Sequence, residues 1–478
     1  MSNVEHYDAV VLGSGEAGKF LAWHLAAAGK RTAVVERKLV GGACPNVACL
    51  PSKNIIHSAK VASYMLRSEE FGIVTGPWGI DMKAVRERKR RMVEGLREMH
   101  LANFAKSGAE IVMGSGRFVG ERTLEVDLLS GGTRVLRGGQ VFLDTGTRAA
   151  IGKTPGLAEA APLTHVEALE LDSVPRHLLI LGGGYVGLEF AQAMRRLGSL
   201  VTVIEHHPRL VAAEDPDVSE AIEQLFADEG IDVSLNTNVW SVSGKSGGEV
   251  RLNATQGDSK IVLDGSHLLV ATGRVPNTDG IGLDLAGIAT RPDGYIHVNE
   301  RLETTAPGVW AMGDCAGSPH FTHISFDDFR VVRENLAGRH RVTSGRQVPF
   351  CLFTDPELAR VGLNESEAGR QGIEYRMVKV PMASVLRTRT LSETRGFLKA
   401  LVGAHDDRIL GFTAFGVSAG EMLPAVQLAM AAGMPYTALR DTVLTHPTVN
   451  EGFLPLFSAV PAMAPRNPAP TLKAGGAV

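Results

Sequence analysis

Apolar runs of five or six residues, each closed by a cluster of glycines and followed by a stretch with helical spacing, mark the first two hundred positions of the chain. Tyr7 to Leu12 reads as a buried strand, Gly13-Ser-Gly15-Glu-Ala-Gly18 as a turn, Lys19 to Ala28 as a helix, and Arg31 to Val35 as a second strand ending at Glu36. The same order recurs from His177 to Leu181, through Gly182-Gly-Gly184-Tyr-Val-Gly187, a helix to Leu197, and a strand from Leu200 to Ile204 ending at Glu205. In both copies the acid lies 23 residues after the first glycine. This internal repeat of a βαβ unit predicts two dinucleotide-binding domains. Between them, Met82, Val85, Met92, Val93, Leu96 and Met99 follow a helical period around Lys83 to Arg97, with Arg86 to Arg91 expected on a solvated face. Phe142 to Gly146 and Leu268 to Gly273 read as domain exits. From about residue 346 the pattern changes to strands such as Pro349 to Phe353 and Gly396 to Val402, then an apolar helix from Gly420 to Ala432, as in a separate α+β domain. After Val460 the chain has few large apolar residues and is expected to be mobile.

Composition narrows the partners. With 49 basic and 52 acidic residues the formal charge is −3, so nothing draws the whole protein to nucleic acid or anionic lipid. No apolar stretch reaches about 18 residues and no signal sequence is recognisable, which predicts no membrane span and a cytoplasmic location. A small molecule is the expected partner.

Each glycine turn has a chemical reading. Gly13 and Gly182 allow the tight turn, Gly15 and Gly184 let a phosphate approach backbone N–H groups, and Gly18 and Gly187 let helix pack on strand. Glu36 and Glu205 are placed to accept hydrogen bonds from two ribose hydroxyls. One such pattern is weak evidence, since a glycine-rich connection occurs in any α/β domain; two complete copies in the right context are not.

Four cysteines, at 44, 49, 315 and 351, are too few for a disulfide scaffold. Cys44 and Cys49 stand apart within Gly41-Gly-Ala-Cys44-Pro-Asn-Val-Ala-Cys49-Leu-Pro-Ser-Lys53. Five positions apart, two thiols can face each other across about one turn of distorted helix. Zinc normally takes four ligands, and no second cysteine pair or histidine pair supplies them, so dithiol redox chemistry is the reading and no metal site is expected.

With these residues in place the sequence resembles the pyridine nucleotide–disulfide oxidoreductases of the glutathione reductase, dihydrolipoyl dehydrogenase and mercuric reductase group. The resemblance covers roughly residues 5 to 458. It is carried by GGACPNVACLPSK, GGGYVGLE at 182–189, ATGRVPN at 271–277, PGVWAMGDCAG at 307–317, FTDPELARVGL at 353–363 and THPTVNE at 445–451. It implies an α/β fold with two Rossmann-like dinucleotide-binding domains and a C-terminal α+β dimerisation domain. The expected boundaries are 1–150 for the first part of the FAD domain, 151–270 for the NAD(P) domain, 271–345 for a central part completing the FAD site, 346–460 for the interface domain and 461–478 for the tail.

By the same resemblance Cys49 is the thiol beside the flavin and Cys44 the outer thiol that meets substrate. Lys53 is the lysine near flavin N5, paired with Glu189, and Asp314 binds the ribityl chain. Gly116 joins Gly13, Gly15, Gly18 and Glu36 in the FAD set; Tyr185, as a gate over the nicotinamide, and Gly273 join Gly182, Gly184, Gly187, Glu189 and Glu205 in the NAD(P) set. Cys315 is a buried passenger. His446 and Glu451 match the family's His–Glu dyad, contributed by the other subunit of a homodimer, although Thr448-Val-Asn-Glu451 also fits a capping box in which Glu451 serves only a helix start. The resemblance implies electron flow from NADH, preferred to NADPH because Glu205 would repel a 2′-phosphate, through FAD and the Cys44–Cys49 disulfide to a small disulfide. Arg209 stands close enough to weaken that preference.

The member within the family is open. The vicinal C-terminal cysteines and the added N-terminal metal-binding domain of mercuric reductases are not found, and that group has tyrosine where His446 stands, yet FTHISFDDFR at 321–330 leans toward it. Reduction of an unidentified disulfide is favoured, with dihydrolipoyl dehydrogenase next and metal-ion reduction third; a flavin-bound redox sensor is the non-enzymatic alternative. Hg(II) is expected to be a poor substrate.

Overall fold

The structure is a computed structural model and describes residues 4–463, so the expectation for the tail falls largely outside the described residues. It contains two compact units, Met1–Val211 with Glu223–Arg346, and Ala212–Ile222 with Gln347–Val478.

In the first unit β1 (Val4–Leu12), α1 (Glu16–Ala27) and β2 (Thr32–Glu36) form the expected unit of strand, helix and parallel strand. Helix α1 begins three residues before the apolar period does, because the turn is complete at Gly15 and Glu16, Ala17 and Gly18 already belong to the helix. After α2 (Ala43–Val47), α3 (Cys49–Leu66) and α4 (Met82–Ser107) come β3 (Glu110–Gly120), β4 (Thr123–Leu128) and β5 (Thr133–Leu143). Strand β5 lies parallel to β1 on the side away from β2, and its first half also pairs antiparallel with β4. Strand β3 likewise starts parallel to β2 and ends antiparallel to β4. The sheet is covered on both faces, so the centre of β1 is apolar at successive positions instead of alternating. Val10, Val35 and Val141 point into one core with Phe118 and Leu283. Val11, Val34 and Phe142 point into the other, against Leu21 of α1 and Phe329.

Helix α4 runs ten residues past the predicted Arg97, since Phe104 continues the buried stripe and Gly108 supplies the left-handed stop. Its basic run is not simply solvated. Lys89 is 2% exposed and ion-paired with Glu170, which also takes Arg90, while Arg88 donates to the carbonyl and amide oxygens of Asn54. The reading as a solvated face holds for Glu87, Arg88, Arg90 and Arg91, which are exposed, and is corrected at Lys89, which is buried where an acid from another segment meets it.

Strand β6 (Thr147–Ala149) and α5 (His165–Ala168) lead to the second repeat: β7 (His177–Leu181), α6 (Tyr185–Arg196), β8 (Leu200–Ile204), α7 (Pro216–Asp228) and β9 (Asp232–Ser234). Its parallel sheet has 267–270 on the outer side of β7, then β8 and β9.

In the second unit a five-stranded antiparallel sheet is ordered 350–352, 357–362, 409–416, 397–403, 375–381. Helices 419–431 and 453–458 bury Met422, Val426, Phe453 and Phe457 against it. Lys399 is buried on this sheet, its Nζ 2.8 Å from Asp215, 2.8 Å from Asp217 and 3.0 Å from Glu365. Removing the cation leaves carboxylates crowded without compensation. Lys399→Met is therefore expected to cost roughly 2 kcal/mol, less than a fully buried pair, because Asp217 keeps Lys379 and Asp215 keeps the Ser366 N–H. Denaturant unfolding read by circular dichroism checks it; an unchanged midpoint would show that the cluster contributes no net stability.

Candidate redox site

The chain between β2 and α3 is folded by local chemistry. Gly41 and Gly42 adopt positive φ, and the buried Asn46 amide donates to the Val40 and Gly42 carbonyls at 3.0 and 2.8 Å. Ala48, at φ −134° and ψ −104°, separates α2 from α3. Pro45 and Pro51 each fall in a first turn, where a missing N–H costs nothing. Cys44 and Cys49 therefore sit on either side of a helix break, both as free thiols.

The two thiols are not equivalent. The hydrogen bond from Cys44 brings the Cys49 thiol down to about 6, against the opposing effect of burial, with help from the Thr322 hydroxyl at 3.3 Å and the nearby Lys53 ammonium. Cys44 is pushed up, first because it holds the proton of that shared bond and second because it is buried. Cys49 is thus the more acidic thiol of the pair and Cys44 the less acidic. Lys53 of α3 meets Glu189 of α6 at 2.6 Å. The ion pair holds a positive charge on the Cys49 side.

The first glycine turn is a cradle. Gly13 has φ +99°, and a Cβ there would lie 2.2 Å from the Asp144 carbonyl oxygen; one on Gly18 would lie 2.5 Å from the Gly13 carbonyl. Glu36 folds back on the turn, accepting from Ser14 N–H at 3.0 Å, Ser14 Oγ at 2.6 Å, Lys38 N–H at 2.8 Å and Leu39 N–H at 3.1 Å. Asp314 lies in a short turn, 313–316, and accepts from Thr147 Oγ1 at 2.6 Å. That turn is held by Asp328, which accepts from Gly313 N–H at 2.8 Å and pairs with Arg346 at 2.6 Å. Gly116 lies in β3 under Leu12 and Val35, where a Cβ would approach Leu12 to 2.8 Å, so in this chain its smallness serves strand packing. Cys315 is fully buried, which pushes its thiol up to about 12.

The second cradle repeats the first. Gly182 has φ +109°, and Gly187 packs on the Gly182 carbonyl. Glu205 accepts from Gly183 N–H at 2.6 Å and His207 N–H at 2.9 Å, with His206 Nδ1 also at 2.9 Å. A Cβ on Gly184 or Gly273 would meet no protein atom, so both face open space. Tyr185 is the half-buried first residue of α6.

In the second unit the His446 side chain is 63% exposed and its Nδ1 lies 2.9 Å from Glu451 Oε1. Glu451 Oε2 accepts from Thr448 N–H at 2.8 Å. The capping reading and the dyad reading are thus both present, one carboxylate oxygen for each. The Thr448 N–H first, and His446 second, hold the Glu451 carboxyl below the usual range.

Sequence reasoning missed Thr322, Asp328 and Asp144. Thr322 opens the helix 322–336, where a threonine is unremarkable, and nothing local marks it as a partner of a thiol 273 positions away.

Residues 7–328 match the family model described as pyridine nucleotide-disulphide oxidoreductase, and residues 348–456 match its dimerisation domain. The chain is 35% identical to the probable pyridine nucleotide-disulfide oxidoreductase RclA of Escherichia coli, over 95% of this chain and 99% of that one. It is 34% identical to dihydrolipoyl dehydrogenase of Thermus scotoductus, over 95% and 97%, and 34% identical to mercuric reductase of Streptomyces lividans, over 93% and 94%. Among solved structures, the Cu(II) complex of the HOCl-induced flavoprotein disulfide reductase RclA superposes with a TM-score of 0.87, covering 95% of this chain and 99% of that one.

Proposed function

The chain belongs to the pyridine nucleotide-disulfide oxidoreductase family, FAD-dependent enzymes with a homodimerising C-terminal domain, and from that premise we propose that it passes electrons from NADH through Cys49 and Cys44 to a small disulfide. The observation that carries this reading is the placement of Cys44 and Cys49 on either side of the helix break, with the Cys49 sulfur 3.3 Å from the Thr322 hydroxyl and the Lys53–Glu189 pair beside it. The cradle at Gly13, Gly15 and Gly18, with Glu36 and Asp314 beside it, fits FAD; Gly116, packed in β3 under Leu12 and Val35, is left out of that set. The second cradle, Gly182, Gly184 and Gly187 with Glu205 and Gly273, fits the nicotinamide nucleotide, with Tyr185 at its entrance. When bound, FAD supplies the two-electron relay between nicotinamide and dithiol.

The residues of the chain do the rest. The Cys49 thiolate is stabilised by the Thr322 hydroxyl and the Lys53 charge. Cys44 holds the proton and must lose it to attack, so the geometry calls for a base at the outer thiol. His446, oriented by Glu451, is that base, supplied across the dimer. The Cys44 thiolate attacks one sulfur of the acceptor disulfide, forming a mixed disulfide, and the imidazolium returns its proton to the departing thiolate. The Cys49 thiolate then attacks the Cys44 sulfur, restoring the Cys44–Cys49 disulfide and expelling the second product as a thiolate, which takes its proton from solvent.

Oxidation of NADH and NADPH with a panel of acceptors tests this: lipoamide, glutathione disulfide, Cu(II) and Hg(II). Multiple turnover with at least one disulfide is expected. Turnover confined to the metal ions would contradict the proposal.

The same assays read the coenzyme. A 2′-phosphate placed at the end of β8 meets the Glu205 carboxylate, so kcat/KM is expected to favour NADH by about tenfold or more, about 1.4 kcal/mol. A preference for NADPH would show that Arg209 or His206 governs this pocket.

A further inference from the structure

Asp144, at the end of β5, lies where the two repeats differ. Its backbone does what Ala271 does in the second copy: a Cβ on Gly13 would meet the Asp144 carbonyl at 2.2 Å, and one on Gly182 would meet the Ala271 carbonyl at 2.5 Å. The segments Asp144-Thr-Gly146 and Ala271-Thr-Gly273 are equivalent. An alanine therefore suffices to build a dinucleotide fold at this point, and the carboxyl of Asp144 is an addition peculiar to the first cradle.

That carboxyl is placed under the turn. Its Oδ2 accepts from Gly18 N–H at 2.7 Å and would lie 2.6 Å from a Cβ on Gly15, whereas Gly184, the counterpart of Gly15, has no protein neighbour there. Its Oδ1 would lie 3.0 Å from a Cβ on Gly313, in the turn that carries Asp314. Asp144 is 6% exposed. One acid thus spaces the glycine turn from the 313–316 turn, the two segments that fit FAD.

We propose that Asp144 is a positioning residue of the flavin site, whose carboxyl sets the spacing of these two turns and makes retention of FAD depend on binding a proton. The start of α1 attracts anions, and the cofactor's pyrophosphate is the anion it should hold. An ionised Asp144 would be a second anion at the same helix end. The charged and titratable groups facing it are Glu16 and Lys19 from α1 and Asp314 and Cys315 from the 313–316 turn. Lys19 is already engaged, at 2.6 Å from Glu16. Burial first, and Asp314 next among the charges that raise it, push the Asp144 carboxyl well above its ordinary range, against the Gly18 N–H and Lys19. The sign follows. The proton is kept when FAD is bound, so retention is strongest at low pH and weakens as pH rises through the ionisation of Asp144.

The inference rests on FAD occupying the first cradle, a premise checked separately by the yellow colour of the purified protein. The test is FAD release from the diluted holoprotein, read by flavin fluorescence from pH 6 upward through the range in which the protein stays folded. The wild type is expected to bind FAD at least about tenfold more weakly at the alkaline end, a change of about 1.4 kcal/mol. Asp144→Asn, which keeps an acceptor for Gly18 N–H without the charge, and Asp144→Ala, which copies Ala271, are expected to show little of this slope. Should either variant fold poorly, the wild type alone decides: the infrared carbonyl band of a protonated carboxyl should disappear in step with FAD release. Slopes equal in wild type and variants, or a carbonyl band absent at pH 6, would overturn the proposal.

Discussion

Replacing Cys44 with serine is expected to stop reduction of any disulfide, by about 10³-fold or more, while leaving an absorption that the wild type lacks in its oxidised form. The loss follows because Cys44 is the sulfur that bonds to the acceptor, and a serine hydroxyl is neither acidic nor nucleophilic enough to replace it. The new absorption follows from Cys49. Freed from its disulfide partner, it is held as a thiolate by the Thr322 hydroxyl and Lys53, and a thiolate against oxidised flavin absorbs at long wavelength. A thiol brought down to about 6 is ionised above that pH. The Thr322 hydroxyl and Lys53 are unchanged in this variant, so the band should be present at neutral pH and fade on acidification. Cys49→Ser should lose disulfide turnover equally and show no band. Were the two spectra interchanged, Cys44 would be the flavin-side thiol.

The second large effect is expected at His446. His446→Ala should slow the disulfide half-reaction by roughly 10² to 10⁴-fold and leave reduction by the nicotinamide unchanged, because the imidazole acts only where Cys44 gives up and the acceptor takes up a proton. Glu451 has two tasks, one oxygen on His446 Nδ1 and the other on Thr448 N–H. Glu451→Gln retains an acceptor for one of them and removes the charge that favours the imidazolium, so a smaller loss is expected, accompanied by a shifted pH profile. Stopped-flow separation of the two half-reactions reads both variants. Equal slowing of both halves would assign His446 to the architecture of its loop and not to proton transfer.

What was legible in the sequence was local. The two βαβ units could be read because each strand, glycine turn and acid lies within about 25 residues, and the structure sets β7 and β8 at the expected bounds. Cys44 and Cys49 stood out because only five positions separate them. The rest depends on segments that meet only after folding. Lys53 and Glu189, 136 positions apart, could be paired only through the family resemblance, and Asp144 and Gly18, 126 apart, were not paired at all, since each residue alone is an ordinary one in an α/β domain. The same cause explains the basic run of α4, whose partner Glu170 lies some eighty positions downstream. Thr322 was invisible for a different reason: a threonine in the first turn of a helix has a structural explanation that satisfies the sequence without any thiol. The inequality of the two thiols begins in their own interaction, while the further help that Cys49 receives from Thr322 and Lys53 had no signature in the spacing of the cysteines.

The central claim is that electrons reach the acceptor through Cys49 and Cys44. It is tested most directly by anaerobic titration of the holoprotein with a chemical reductant, followed by the flavin absorbance. The wild type should take up two electron pairs per flavin, the first appearing with thiolate absorption and little bleaching, the second bleaching the flavin. The Cys44→Ser and Cys49→Ser variants should take up one. A wild type that bleaches fully with a single pair, as the variants do, would contradict the account.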